Sequence, residues 1–266
     1  MPRRRFKELH DYKWFPDIWR RGMTDFLSFF ATYFFQYDPI FLLIKGMMQQ
    51  SGHRKLRDYC SGGSGYLLSL LRYLRKNGIQ DCKIELTDKY PNLDSFERIV
   101  RHSRGAVSYI ASSIDALNSP ASDTPKIRVM FSAMHHFSPD ELGLILNRAS
   151  MDKCSIGIFD YSSWDPIRAI PLLILLIPHI FIITPFAGVF SWRKMFWTYI
   201  IPAIPLALLI DAAISRWNGY STTELKEIID KLPNLTYDWN TGSKHNFLWT
   251  GKVVYLIGCP KLRQDG

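Results

Sequence analysis

The chain has 266 residues, 47% of them hydrophobic, which allows a substantial core and excludes global disorder. Its 33 lysines and arginines against 24 aspartates and glutamates give a formal net charge of +9. That balance suits nucleic acid, an anionic membrane surface or an acidic ligand and does not choose among them. The four cysteines, Cys60, Cys82, Cys154 and Cys259, are widely spaced, with no CxxC and no Cys/His cluster, so neither a disulfide framework nor a metal site is expected, and a reducing cytosol is.

Residues 1–50 read as an N-terminal basic and aromatic helical arm or lid. "MPRRRFKELHDYKWFPDIWRRG" interleaves charges with aromatics, and no apolar core with a cleavage site follows at signal-peptide distance. The Phe-rich run after it is interrupted by Asp25, Gln36 and Asp38, which argues for an amphipathic or lid-like helix pair over a membrane span. From Arg54 the pattern is regular. "RKLRDYC" is a short strand, and Ser64 to Lys76 is a helix with Leu67, Leu68, Leu71 and Leu74 at helical spacing. "CKIELTD" is a second strand, "NLDSFERIVRHS" a helix entered from Pro91, "GAVSYIASSID" a weaker third strand, and "KIRVMFSAM" a fourth and apolar one. "SPDELGLILNRAS" opens on a capping box, Ser138 with Glu141, and Pro139 holds the first helical position. "CSIGIFDYS" is the fifth strand. "STTELKEIIDKL" is a helix capped by Ser221 with Glu224. The last stretch forms two strands with a turn around Gly242 to His245. The fold class is therefore α/β: a Rossmann-like, mainly parallel sheet with helices on both faces and a C-terminal antiparallel hairpin, over residues 51–266.

The segment "DYCSGGSG" joins the first strand to the first helix of this sheet. Glycines there let a ligand approach bare backbone and the free N–H groups of a helix start, at the carboxyl ends of the strands. The glycines fall at Gly62, Gly63 and Gly65, which is not the GxGxxG spacing of a dinucleotide fingerprint. Acids recur at the tips of the neighbouring strands. Asp58 starts the turn, Asp88 follows the second strand, and Asp115 lies in "SIDALN" after the third. "FSAMHHF" follows the fourth. Each also has a plain reading: a tight turn for the glycines, a helix cap for Asp88, a loop residue for Asp115.

Taken in order, these four segments resemble the motifs of the class I S-adenosylmethionine-dependent methyltransferases, over about Arg54 to Ser162 and in outline over the last forty-odd residues. In that family the first motif runs roughly D-x-G-x-G-x-G; here Cys60 stands in place of the first glycine, and one extra residue precedes the last. The resemblance implies a methyltransferase with S-adenosyl-L-methionine as cofactor. It implies a cofactor site of Asp58, Cys60, Gly62, Gly63, Gly65, Asp88, Asp115 and Ser132, with Asp88 gripping the ribose and Asp115 beside the adenine. Methyl transfer from a sulfonium needs alignment and exclusion of water more than acid–base help. Where a base is needed, His135 and His136 stand just past the fourth strand, and a neutral imidazole suits the task; the plain alternative is a histidine packed under the loop. Asp160, Trp164 and Asp165 face the same rim. Neither a [DN]-P-P-[FYW] segment nor a Pro-Cys nucleophile occupies these places, so no nucleic-acid acceptor is expected; small molecules and lipids remain.

Residues 167–216 form an apolar helical insertion after the fifth strand. Ile167 to Phe190 carries no charge after Arg168, and "SWRKMFWTY" separates it from a second apolar run that reaches Asp211. A two-pass hairpin would put Arg193 and Lys194 on the far side, against the positive-inside tendency. A shallow interfacial pair would place Trp192, Trp197, Tyr199, Arg193 and Lys194 at headgroup level. A soluble lid or dimer face over an apolar pocket is the third option. The favoured reading is a hydrophobic small-molecule or lipid substrate and a cytoplasmic enzyme, peripheral or monotopic at the inner face of a membrane. The N-terminal "RRR" and "WRR" would meet the same surface. Asp211, unusual in an apolar helix, pairs with Arg216, caps a turn or points into the cleft. The oligomeric state is not legible.

Overall fold

The computed structural model describes residues 5–118, 127–161, 166–233, 237–245 and 252–261, with helix but not side chains given for residues 166–172. Two helices come first, α1 (Asp17–Tyr33) and α2 (Phe41–Ser51). Strands and helices then alternate: β1 (Lys55–Tyr59), α3 (Tyr66–Lys76), β2 (Lys83–Leu86), α4 (Leu93–His102), β3 (Val107–Tyr109), β4 (Ile127–Phe131), α5 (Pro139–Met151) and β5 (Ile156–Asp160). The insertion supplies α6 (Pro166–Ile183), α7 (Trp192–Met195), a π-helical turn (Phe196–Ile200) and α8 (Ala203–Asn218). α9 (Thr222–Asp230), β6 (Tyr237–His245) and β7 (Lys252–Pro260) complete the chain.

The seven strands lie in the order β3-β2-β1-β4-β5-β7-β6. β1 to β5 are parallel, and β7 runs antiparallel to both β5 and β6. This is the expected Rossmann-like sheet with its antiparallel C-terminal hairpin. Every residue of β4 (IRVMF) and β5 (IGIFD) is buried, as befits central parallel strands covered on both faces. On one face α2, α3 and α4 bury Phe41, Ile44, Leu67, Leu71 and Phe96; on the other, α5 and α9 bury Leu142, Leu146, Leu225 and Ile228. Both expected capping boxes form, Ser138 with Glu141 and Ser221 with Glu224, while the helix after Pro91 is capped by the Asn92 side chain. Strand order reverses between β1 and β4, so the turns after these strands flank the switch point where such sheets bind ligands.

The hairpin turn is not at Gly242 to His245. Those residues continue β6, with Gly242 opposite Tyr255 and His245 opposite Lys252. A Cβ at Gly242 would come under 3.0 Å from the Tyr255 ring, so this glycine makes room for an aromatic neighbour instead of a reversal.

The insertion packs as a helical layer on α1. Ile180, Ile183, Ala187, Ile204, Ala207 and Leu208 close over Phe15, Met23 and Phe26. The opposite side is apolar and open: Ile174, Leu175, Ile182, Phe186, Val189, Phe190, Trp192, Ile200 and Leu206 are each more than half exposed. No single helix among the described residues is long and apolar enough to cross a membrane. Two bent pairs, Asp17–Tyr33 with Asp38–Ser51 and Trp192–Ile200 with Ala203–Asn218, meet the length and composition only together, across bends of 66° and 72°.

Three expectations for this layer change. Lys194 is buried, and its ammonium donates to the carbonyls of Ala187 and of Val189 (3.0 Å) near Asp25, because the turn after α6 leaves those carbonyls unpaired. Trp197 packs edge-on against Trp19 instead of facing out. In the arm, Arg5 donates to the Asn218 carbonyl (2.7 Å) and lies over the Tyr220 ring, and Arg20 is buried on the carbonyls of His10 and Tyr12. Those charges hold the N-terminal segment down, leaving Arg193 and Arg21 exposed. Arg3 and Arg4 lie outside the described residues.

Candidate active site

β1 carries its chain to Tyr59, and the next six residues fold back before α3 begins at Tyr66. Three of them take left-handed backbone: Cys60 (φ 56°), Gly62 (φ 52°) and Ser64 (φ 47°). Cys60, standing where the resembling motif has glycine, holds the conformation that only glycine adopts freely. The bend is tied from below. Ser61 N–H donates to the Thr87 carbonyl (3.0 Å), Thr87 N–H to the Asp58 carbonyl (2.9 Å), and the Ser64 hydroxyl to the Asp58 carboxylate (3.2 Å). Asp58 is wholly buried, and its second oxygen, Oδ1, has no hydrogen-bond partner among the described residues. Burial pushes its carboxyl up to about 8, partly offset by the hydroxyls of Ser61 and Ser64.

The three glycines divide by task. Gly62 N–H donates to Asp88 Oδ2 (2.8 Å), and nothing stands within 4 Å of where its Cβ would be. A Cβ at Gly63 would fall under 3.0 Å from Ser28 Cβ and the Thr24 carbonyl, and one at Gly65 would sit 2.7 Å from Ser28 Oγ. Gly65 N–H also donates to that hydroxyl (2.7 Å). So α1 lies directly on the glycine turn. Gly62 alone faces open space; Gly63 and Gly65 serve the close approach of the helix.

The acids converge on the same turn. Asp88 takes Gly62 N–H on one oxygen and Tyr90 N–H (2.7 Å) on the other, which leaves a lone pair on each. Burial raises its pKa, opposed by those two N–H groups and by the nearby His10 and His136. Ile114 N–H donates to the Asp88 carbonyl (2.9 Å), which brings Asp115 to the same rim. There it pairs with Lys89 (2.8 Å) and receives Leu117 N–H (3.0 Å). Ser132, also left-handed (φ 46°), turns its hydroxyl to the buried Tyr37 and donates its N–H to the Phe159 carbonyl (2.8 Å).

His135 differs from the neutral base envisaged for it. It is buried, with Nδ1 2.7 Å from Asp160 Oδ2 and Nε2 3.2 Å from Glu8 Oε1. Burial disfavours its charged form, but Asp160 and Glu8 outweigh this and lift the pKa to about 10. With Glu8 in place it is a doubly anchored imidazolium and has no nitrogen left for an acceptor. His136 is half-buried, with Nδ1 2.9 Å from Asp11 Oδ2, and no hydrogen bond to its Nε2 occurs among the described residues. Asp160 sits beneath His135; Trp164 and Asp165 lie outside the described residues.

The residues that sequence reading missed come from the arm. Glu8, buried beneath the rim, is pushed up by burial but pulled down to about 2 by His136, His135 and His10. His10 Nδ1 meets Asp211 Oδ2 at 2.8 Å. Asp211 pairs neither with Arg216 nor with a local turn. It accepts the N–H groups of Leu9 (2.7 Å) and His10 (3.2 Å) and so pins the arm to α8. The signal was the run Glu8-Leu9-His10-Asp11, three titratable residues in four inside a segment otherwise basic and aromatic.

The strand order and the antiparallel β7 are those of the class I methyltransferase fold. No family model matches the chain, and no curated protein does. Solved structures with a similar outline include a putative O-methyltransferase from Nostoc punctiforme, with TM-score 0.49 and 13% identity over 81% of this chain and 54% of that one. Human N-acetylserotonin methyltransferase, solved with S-adenosylmethionine, has TM-score 0.44 and 9% identity over 85% and 53%. Magnesium protoporphyrin IX methyltransferase from Synechocystis, solved with S-adenosylhomocysteine, has TM-score 0.43 and 7% identity over 82% and 81%. The chain thus spans about half the length of the O-methyltransferases it resembles and most of the cyanobacterial enzyme.

Proposed function

We propose that the chain is an S-adenosylmethionine-dependent methyltransferase acting on a hydrophobic or lipid-like small-molecule acceptor at a membrane surface. The observation that carries the cofactor is the meeting of Gly62 N–H with the Asp88 carboxylate at the switch point, above a buried Asp58 with one unpartnered oxygen. These donors and acceptors fit a cationic nucleoside with an amino-acid tail. The free lone pairs of Asp88 suit ribose hydroxyls, and Asp58 Oδ1 is an acceptor awaiting a cationic donor. Asp115 and Lys89 stand at the rim for the base. When bound, the cofactor supplies an activated methyl group; the chain's own part is to align the acceptor and keep water out, and α1 lying on the turn serves that end.

The acceptor class rests on the outer face of α6 to α8. So large an open apolar surface is rare on a free-standing protein, and it adjoins exposed Arg193 in a chain of net charge +9. This favours a membrane surface over a closed lid on a soluble enzyme. The alternative, a membrane-associated interaction protein that keeps the fold without catalysis, would rest on the irregular glycine loop; the left-handed Cys60 keeps that loop sharply bent over Asp58 and speaks against it. Incubating the purified chain with methyl-labelled donor and lipid extract tests the reading: label in an extractable lipid supports it, and no labelled product together with no donor binding removes it.

A further inference from the structure

We propose that Glu8, His10 and His136 bind one divalent transition-metal ion, of the class represented by Zn²⁺, at the seam between the N-terminal segment and the turn after β4. The inference rests on the side chains themselves and not on the methyltransferase reading. One donor atom from each of the three residues lies within 4.8 Å of the other two. Ligand atoms sharing a Zn²⁺ at about 2.0–2.1 Å stand roughly 3.3 Å apart, so small side-chain rotations close the set. Two imidazoles and a carboxylate are borderline donors that suit Zn²⁺, Co²⁺ or Fe²⁺ better than Mg²⁺.

Two further features distinguish the group from a chance contact. Each imidazole is backed by a carboxylate through its Nδ1, His10 by Asp211 at 2.8 Å and His136 by Asp11 at 2.9 Å. A carboxylate on one ring nitrogen is how a protein orients metal-binding histidines; for His10, whose Nδ1 also lies 3.5 Å from Glu8 Oε2, a ring rotation has to present Nε2 to the ion. Glu8 is steadied as well, by His135 at 3.2 Å and by the Ser215 hydroxyl at 2.7 Å. The second feature is charge. Glu8, Asp11 and Asp211 have no lysine or arginine partner among the described residues; histidines are their only positive counterparts. The rings of His10 and His136 stand 5.2 Å apart, and those of His135 and His136 4.4 Å. A divalent ion at the three donors would give these carboxylates a further positive partner.

The test uses the full chain stripped with chelator and titrated with ZnCl₂ by calorimetry, with CoCl₂ as an optical probe. One ion per chain is expected, with a visible Co²⁺ band and a higher unfolding midpoint when Zn²⁺ is present. His10→Ala and His136→Asn should each weaken binding at least tenfold. His102→Ala, which removes an exposed ring at the end of α4, should leave it unchanged. If the wild-type chain takes up no ion, or the His10 and His136 variants bind as tightly as wild type, the cluster is only an ionic latch and the proposal is overturned.

Discussion

Cys60 holds a left-handed backbone at φ 56°, a conformation that costs a non-glycine residue on the order of 1–3 kcal/mol and survives where its surroundings fix it. Replacing it with glycine relieves the strain and gives up some packing, so Cys60→Gly should unfold in urea within about 1 kcal/mol of wild type. Cys60→Val should lose about 2 kcal/mol or more, because a β-branched residue is excluded from this region. Equal stabilities would mean the bend is not strained. Asp58 makes a second prediction. Its carboxyl, near 3.8 when exposed, is lifted to about 8 by burial. A raised folded pKa contributes stability in full below the unfolded value, and that stability is lost as pH rises through the folded value. Stability of the ligand-free chain should therefore decline between about pH 4 and pH 8. Asp58→Asn should flatten that decline by up to about 1.4 kcal/mol per pH unit, measured as urea midpoints across the range. An unchanged slope would mean Asp58 ionises freely.

At the scale of elements, α1 on the glycine turn is the decisive contact. Gly63→Ala puts a methyl under 3.0 Å from the Ser28 side chain and the Thr24 carbonyl, so the helix has to lift. A loss of about 1–3 kcal/mol in thermal or urea unfolding is expected; a neutral outcome would show that α1 sits loosely. The outer face of α6 to α8 gives a separate prediction. Phe186→Ser, Trp192→Ser and Ile200→Ser combined remove exposed apolar groups with few neighbours, so folding should be spared while co-sedimentation with anionic vesicles falls at least tenfold. Unchanged co-sedimentation would contradict the proposed membrane-facing role of this surface.

The sheet was legible from the sequence because strand and helix periods alternate cleanly from Arg54, with capping boxes at Ser138 and Ser221. The acids Asp58, Asp88 and Asp115 were legible because each stands at, or a few residues beyond, the carboxyl end of a strand. What was not legible depends on distant contacts. Asp11 and His136 are 125 positions apart, and no local pattern announces their pairing. Gly63 and Gly65 read as ligand glycines because the helix they accommodate lies earlier in the chain, and Lys194 read as a headgroup contact because carbonyl capping leaves no mark in sequence.

The molecule as a whole is a sheet covered on both faces, with a further helical layer of α1, α6 and α8 whose outer side is apolar. The N-terminal segment crosses between that layer and the sheet. Asp211 holds it from α8 and His135 from the turn after β4, while Arg20 secures it from α1. This strap brings the histidine–carboxylate cluster to the rim where Gly62 and Asp88 meet, with His10 and His136 close enough to act on the Asp88 carboxylate. The most direct test is calorimetric titration of the full chain with S-adenosylmethionine, beside Asp88→Ala checked for an unchanged circular dichroism spectrum. The account predicts one site per chain and at least tenfold weaker binding in the variant. Absence of binding to wild type, or equal affinity in Asp88→Ala, would contradict it.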